Sequence, residues 1–187
     1  DRLDTRYENG IAAMGRYGEQ AADQRRQPDG SVNCRLIPSK PDFEGLTRDI
    51  PRQVIFDAKV RSDSSMNLSD YREQTRKPKH RQLKHMYQRS GFGAYCFFLI
   101  HWNERELATK TVPAVTYAFP VWFGHPFWER FERGEAKSIN IALCEQHAVE
   151  VPWDKLGQDR TLRPDVMAAI HGVAKLAGQK RRIRGGW

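Results

Sequence analysis

The sequence has few cysteines and no long apolar segment, and both shortages exclude classes of protein. Its three cysteines, Cys34, Cys96 and Cys144, lie far apart and are odd in number, so no disulfide framework is indicated. No apolar stretch approaches the ~18 residues of a membrane helix, and the N-terminal region lacks the apolar core of a signal peptide. We therefore expect a cytoplasmic protein that does not contact the membrane.

Several widespread catalytic motifs are also missing. There is no Walker-type glycine loop, no Gly-x-Ser-x-Gly and no dinucleotide fingerprint, so we expect no small-molecule cofactor. Cys144 and His147 have the spacing of half a zinc site, but no second half accompanies them. A zinc protein is therefore disfavoured on the number of ligands alone.

Positive charge is abundant and concentrated in two places. The formal net charge is +8, and residues 72–89 hold seven lysines and arginines against one acid, Glu73. A second basic group, within residues 180–184, follows Gly178. Concentrated patches suit a phosphate backbone, although the second patch would also serve as a solubilising tail. At 187 residues we predict a single domain over 1–178 and a basic tail over 179–187.

Hydrophobic periodicity predicts an α/β protein with a mixed central sheet flanked by helices. Residues 61–78 are polar, and we expect them to be mobile without a ligand. Five aromatic side chains between Trp122 and Phe131 predict core packing around a short helix. The predicted elements are a helix over 11–26, strands over 32–37, 54–60 and 94–102, a strand within 112–122 interrupted by Pro120, and helices over 79–90 and 165–177, the last stopped by Gly178.

Strand 54–60 carries the strongest functional signal. Alternation predicts that Val54, Phe56, Ala58 and Val60 are buried together on one face, while Asp57 and Lys59 project from the other. Asp42, in the preceding Pro41-Asp42 turn, would meet them there. Two carboxylates and a lysine at the end of an apolar strand are tolerable mainly when a divalent metal joins them. Oxygen ligands suit Mg²⁺, for which Mn²⁺ would be a substitute.

An acidic-x-lysine triplet is by itself a weak signal. A second triplet, Glu135-Ala136-Lys137, has no apolar strand before it, and Pro-Asp occurs three times. Pro28-Asp29-Gly30 reads as a turn and Pro164-Asp165 as a helix start. Only Asp42 and Asp57-Ala58-Lys59 combine a loop acid with a strand of the correct alternation.

Glu19 and Gln82 are weaker candidates. Glu19 lies in the first predicted helix beside Gly15 and Gly18, and close packing of that helix on the sheet would bring it near the metal. A solvated glutamate is the alternative. Gln82 lies on predicted helix 79–90 next to the inward residues Leu83 and Met86, where spacing alone makes it an ordinary residue at the border of the packed face.

Four motifs together resemble the RecU-type Holliday-junction resolvases of the PD-(D/E)xK nuclease superfamily. The motifs are Gly15–Glu19, Pro41–Gly45, Phe56–Lys59 and Gln82–Met86, and the resemblance spans roughly residues 9–150 with gaps. The family usually has glutamate where Asp57 stands, a departure that leaves metal chemistry intact. The longer 61–78 segment leaves junction preference open.

The resemblance implies a restriction-endonuclease-like core, a Mg²⁺ site formed by Asp42, Asp57 and Glu19, and roles for Lys59 and Gln82 at the attacking water. It also implies a homodimer that acts on branched four-way DNA, in a bacterial cell or a phage-infected host. Alternatives are another nuclease of this superfamily, a non-catalytic DNA-binding module and, last, an RNA-binding accessory protein. The residues predicted to contact the DNA backbone are Arg72, Arg76, Lys77, Lys79, Arg81 and Lys84.

Overall fold

The computed structural model describes residues 11–16, 22–26, 32–36, 41–47, 52–72, 78–106, 109, 111–155 and 162–184. The helices are α1 (Pro78–Gly91), α2 (Pro126–Glu132), α3 (Ile141–His147) and α4 (Val166–Arg184), with a 3-10 turn over Ser69–Tyr71. The strands are β1 (Ile11–Arg16), β2 (Ala22–Arg26), β3 (Val32–Leu36), β4 (Phe43–Thr47), β5 (Gln53–Arg61), β6 (Ser65–Asn67), β7 (Tyr95–Trp102), β8 (Arg105–Glu106), β9 (Thr111–Val112), β10 (Val115–Pro120), β11 (Ser138–Asn140), β12 (Val149–Glu150), β13 (Trp153–Lys155) and β14 (Leu162–Pro164).

The central sheet is mixed, as the α/β prediction requires. Its strand order is β1-β4-β5-β7-β10-β12, in which β5 and β7 are parallel and the other neighbouring pairs are antiparallel. The parallel pair lies at the centre, and α1 makes the crossover between its two strands. This layout is consistent with an α/β nuclease core. None of the described helices is long and apolar enough to cross a membrane.

Each face of the sheet has its own hydrophobic core. On one face, Ile55 of β5 packs in a cluster with residues of α1, α2 and α3, including Met86 and Trp128. On the other face, Val54 and Phe56 pack in a cluster with Ile170 and residues near it on α4. A strand covered on both faces has no solvent side, and this is why the amino-terminal half of β5 is a continuous apolar run.

The burial predicted for β5 is correct in its first half and wrong in its second. Val54 and Phe56 are buried, but Ala58 is exposed and Val60 is 67% exposed. The alternation of side chains along a strand assigns each residue to a face of the sheet. It does not predict how much of that face is covered by a helix. The described part of the chain does not cover the carboxyl end of β5 on the side of Val60.

The predicted helix over 11–26 is also wrong, because residues 11–16 and 22–26 are strands. β1 pairs with β4, with Met14 opposite Gly45, and β2 pairs with β3. The apolar stripe from Ile11 relied on a glycine and small alanines, which drive helix packing weakly. Pairing with the sheet edge therefore overrode a marginal helical preference.

Two further expectations are corrected. Residues 61–72 include the end of β5, β6 and the 3-10 turn, with Met66, Leu68 and Tyr71 buried, so this part of the segment predicted to be mobile packs into the core. Helix α4 continues past Gly178 to Arg184, since one interior glycine costs only about 1 kcal/mol. The boundary proposed between the domain and a basic tail at 178/179 thus falls inside a helix, and the tail stays a prediction.

The remaining elements agree with the prediction, apart from shifted ends. These are β3, α1 with Leu83 and Met86 inward, β7, and a β10 that ends at Pro120. Phe127, Trp128 and Phe131 are core residues on the short helix α2 as predicted, but Phe123 is 78% exposed.

Gly172 of α4 sets how closely that helix approaches the sheet. A Cβ on Gly172 would collide with the side chain of Val149 on β12, whereas one on Gly178 would meet open space. We therefore expect Gly172→Ala to lower the free energy of unfolding by about 1–3 kcal/mol through overpacking. Urea denaturation measures this, with Gly178→Ala as the matched control, which should be neutral or stabilising by up to ~1 kcal/mol. Equal effects of the two changes would contradict the close approach.

Candidate active site

Asp57 is a carboxylate buried in the middle of the sheet. It lies on β5 with no exposed surface, on the face that Ile55 directs toward α1. Lys59, two residues later, points to the same face, as the period of a strand requires. Its Nζ lies 2.6 Å from Asp57 Oδ2 and its side chain is 23% exposed. The prediction that Asp57 and Lys59 project side by side is confirmed.

Asp42 reaches this pair from the neighbouring strand. The β4 ladder begins with Phe43 opposite Phe56, and the two rings stack with centroids 4.5 Å apart. Beyond Phe56 the β5 backbone therefore has no β4 partner. The Ala58 N–H instead donates to Asp42 Oδ2 at 3.0 Å. Asp42 thus continues the ladder with its side chain, and this places its carboxylate next to Asp57.

The surroundings of Asp57 act on its charge in opposite directions. Burial raises its pKa, the Lys59 ammonium lowers it and the Asp42 carboxylate raises it again, with a net rise to about 6. Asp57 is thus ionised at neutral pH but unfavourably so. Lys59 is the partner of Oδ2, whereas Oδ1 accepts no hydrogen bond within the described residues. An additional cation at this point would stabilise the ionised form of the buried Asp57 carboxylate.

The two described carboxylates, Asp42 and Asp57, suit a hard divalent metal ion. The carboxylates of Asp42 and Asp57 are oxygen ligands of the kind Mg²⁺ prefers, and Mg²⁺ commonly binds through one or two carboxylates and keeps several waters. The described residues contain no group of three or more acidic, histidine or cysteine side chains arranged for a metal. Glu19, the third predicted ligand, lies outside the described residues.

Gln82 is more deeply placed than spacing suggested. It lies on α1, one turn before the fully buried Met86, and is itself only 6% exposed. The interpretation of Gln82 as a border residue is therefore wrong. Helix α1 covers the sheet face to which Asp57 and Lys59 point, so Gln82 is held between helix and sheet on the side of the site.

Two features of the site were missed from the sequence. Tyr71 is buried and packs edge-on against Phe98, which pairs with Asp57 across β5 and β7, so its ring lies on the sheet face of the carboxylates. Burial, with the charges of Asp57 and Asp42, raises the pKa of its phenol. Glu44 on β4 accepts a hydrogen bond from the Gln53 side chain and lies 3.8 Å from His85 Nε2 on α1. This contact ties α1 to the strand that follows Asp42. Of these two features, the burial of Tyr71 could have been predicted, because the apolar spacing of Met66, Leu68 and Tyr71 indicates a buried turn.

The predicted DNA-binding residues differ in their surroundings. Arg72 donates to the carbonyls of Gly134 and Ala136 and lies over the Phe131 ring, so it holds the turn after α2. Lys79 Nζ pairs with Asp70 at 3.2 Å. The side chains of Arg81 and Lys84 are exposed on α1. Arg76 and Lys77 lie outside the described residues, and contact with DNA stays a prediction for the whole set.

Comparison with known proteins identifies the family. A search of the curated proteins gives no match. The family model for RecU, described as recombination protein U, matches residues 37–158. The matched segment contains Asp42, Asp57, Lys59 and Gln82 but not Glu19. Because it covers more than half of the chain, and because the motifs quoted above predicted the same family, the protein is a member of the RecU family.

Proposed function

We propose that the protein is a metal-dependent, structure-specific DNA endonuclease that resolves four-way junctions by hydrolysing one phosphodiester bond in each of two strands. Membership of the RecU family supports a resolvase acting in recombination. The observation that carries the chemistry is the buried Asp57 carboxylate, held 2.6 Å from Lys59 and next to Asp42. A structural ion pair would not need a second carboxylate in the same place.

Asp42 and Asp57 would hold the metal, with Glu19 as a further ligand. When bound, Mg²⁺ or Mn²⁺ would acidify the attacking water and offset charge on the scissile phosphate. Water oxygen forms a bond to phosphorus, and the bond from phosphorus to the leaving sugar oxygen breaks. The water loses a proton to solvent or to a phosphate oxygen, and the leaving sugar oxygen takes up a proton from solvent to become a hydroxyl.

Lys59 supplies a fixed cation for this reaction. Asp57 holds its ammonium in place, and its partial exposure lets it reach a phosphate oxygen or the attacking water. Preorganised positive charge stabilises the transition state because no reorganisation is needed when negative charge develops. Gln82 would orient the water or Lys59, a role that comes from the family resemblance.

Cutting two strands symmetrically calls for two sites. A two-fold homodimer with one site in each subunit would present them to the two near-equivalent strands of a junction. Light scattering during size exclusion tests the dimer. Comparing cleavage of four-way, Y-shaped and linear DNA at equal salt, with Mg²⁺ and with EDTA, tests the substrate. We expect Mg²⁺-dependent cleavage with preference for the four-way substrate. Equal cleavage of linear DNA would favour another nuclease of this superfamily, and no cleavage of any DNA would favour a binding module.

The basic segment before and within α1 is expected to provide affinity without sequence preference. Replacing Arg76, Lys77 and Arg81 together by alanine should weaken junction binding, since each phosphate contact contributes up to about 0.9 to the slope of log K against log salt. Anisotropy titrations over a range of salt concentrations measure that slope. Lys175→Ala, an exposed lysine of α4 on the opposite sheet face, is the control. A slope unchanged in the triple variant would show that DNA binds elsewhere.

A further inference from the structure

A groove beside α1 has no role in the proposed hydrolysis. It has a volume of about 740 Å³ and lies between α1, the 3-10 turn that ends at Tyr71, and α2 with the turn after it. On a helix with 100° between residues, Leu83, Tyr87 and His80 share the flank that lines the groove, whereas Gln82 faces at least about 100° away from any of them. The groove and the carboxylate site thus occupy two flanks of one helix.

The walls of the groove are aromatic. Tyr71, Tyr87, Phe123 and Phe131 all line it. Tyr87 and Phe131 each pack edge-on against Trp128, which holds these two rings in fixed positions. Tyr71 and Phe131 are only 2% and 5% exposed, and Arg72 lies over the Phe131 ring. Tyr87 and Phe123 are therefore the rings that can offer a flat apolar surface to a ligand, at little cost in conformational entropy.

Phe123 is the least expected member of this set. It is 78% exposed, although it follows the buried strand β10. The Ser90 hydroxyl donates to the Tyr87 carbonyl at 2.8 Å and accepts the Phe123 N–H at 3.3 Å. The end of α1 thus holds the backbone of Phe123 at the mouth of the groove. A single exposed phenylalanine is ordinary, but unlike Phe92 the Phe123 side chain lines a concave site, where it is available for contact with a ligand.

Basic side chains lie beside these rings. Arg72, Lys84 and Arg133 line the groove, and Glu132 is its one acidic lining residue. Arg133 is paired with Glu135 through both carboxylate oxygens. The other two cations are Lys84, on the exposed side of α1, and Arg72. Aromatic rings among cations form the kind of surface that binds single-stranded nucleic acid.

We propose that this groove binds unpaired nucleotides of the DNA substrate, with their bases stacked on Phe123 and Tyr87. The proposal rests on the proposed nuclease function and specifies where the enzyme holds DNA next to its cutting site. Bases in a duplex are already stacked on one another, so their faces are not available to Phe123 or Tyr87. A strand opened at a branch point has such faces. Tyr71 lines the groove and packs on Phe98, the residue paired with Asp57 across β5 and β7, so the groove and the carboxylate site are neighbours.

The experiment compares four ligands in EDTA, so that no cleavage occurs. They are fluorescein-labelled oligothymidine, an abasic oligomer of the same length, a blunt hairpin duplex and a four-way junction. Phe123→Ala should weaken oligothymidine binding by about 5- to 100-fold, the loss expected for one stacked base. It should leave duplex affinity unchanged and remove any preference for oligothymidine over the abasic oligomer.

Control variants separate stacking from other effects. Phe123→Trp should retain the preference for bases, because indole also stacks. Phe92→Ala removes another exposed phenylalanine, which is 89% exposed and does not line the groove, and should change nothing. Lys84→Ala should weaken the binding of all four ligands and reduce the salt slope, since it removes charge alone. Thermal unfolding confirms that each variant is folded.

The outcomes distinguish this inference from the proposed function. If Phe123→Ala binds oligothymidine as tightly as the wild type does, the groove is not a base-binding site. The same conclusion follows if the variant loses affinity for duplex and single-stranded DNA by the same factor. Junction cleavage by the wild type would leave the nuclease proposal standing in either case. Base-dependent binding through Phe123 in a protein that cuts no DNA would support the groove and overturn the nuclease.

Discussion

Asp57→Asn is expected to abolish metal-dependent cleavage, with a loss of at least ~10³-fold in rate. The change keeps the size of the side chain but removes the negative charge that would hold the metal, and with it several kcal/mol of charge stabilisation in the transition state. Lys59→Ala should have an effect of similar size, because it removes the fixed cation. Cleavage of a labelled junction under single-turnover conditions measures both losses.

Two controls accompany this test: junction binding by the two variants, and an aspartate-to-asparagine substitution away from the site. Junction affinity in EDTA should be close to that of the wild type in both variants, since the basic residues that contact the backbone are unchanged. Asp63→Asn makes the same chemical change at an aspartate that is 81% exposed and 3.8 Å from Arg61, and it should cleave normally. Wild-type cleavage by Asp57→Asn would remove the basis of the site assignment.

Asp57→Asn is also expected to stabilise the metal-free protein at pH 8, by roughly 1–3 kcal/mol. Asp57 has a pKa of about 6 in the folded protein against a reference value of 3.8, and each unit corresponds to about 1.36 kcal/mol. The folded state therefore binds the Asp57 proton more tightly than the unfolded state does. Lys59 loses a partner in the variant, which offsets part of the gain.

The pH dependence has a definite sign. Between about pH 4 and pH 6 the folded protein carries more protons at Asp57 than the unfolded chain, so this group makes stability fall as the pH rises through that window. The excess stability of Asp57→Asn should therefore be largest above about pH 6 and should shrink as the pH falls toward 4. Urea denaturation of both proteins in EDTA at a series of pH values measures the difference, in which the other titrating groups largely cancel.

Mg²⁺ provides the complementary measurement. A cation bound at Asp57 and Asp42 stabilises only the folded state, so adding it should raise the stability of the wild type and have much less effect on Asp57→Asn. Two results would show that Asp57 is an ordinary structural partner of Lys59. One is a variant less stable than the wild type at pH 8, and the other is a variant whose stability Mg²⁺ raises as much as it raises that of the wild type.

Much of the site could be predicted because its signals are local. The alternation in β5 places Asp57 and Lys59 on one face wherever the strand lies, and the structure confirms this pairing. The helical spacing of Leu83 and Met86 predicted α1 and its inward face. Asp42 was harder, since a turn residue can point anywhere. Its position follows from the pairing of Phe43 with Phe56 and from the hydrogen bond that Asp42 accepts from the Ala58 N–H.

The failures have a common physical cause. Whether residues 11–16 form a helix or a strand depends on the presence of β4 as a partner, and the burial of Val60 depends on how far the helices cover the sheet. Tyr71 lies in a polar stretch, and its place beside the carboxylates becomes visible only when the 3-10 turn packs on β7 through Phe98. None of these properties belongs to a short window of sequence.

The amino-acid sequence by itself determined the α/β class, the charged pair on β5, the basic character of the segment around α1 and the family to which the chain belongs. These depend on side-chain periodicity and composition, which neighbouring residues specify. Only the tertiary structure decided that Asp57 is buried with a raised pKa, that Gln82 lies inside the packed face, and that exposed Phe123 opens onto an aromatic groove beside the same helix. Burial and proximity between distant segments are properties of packing, and packing exists only once the sheet and its helices have assembled.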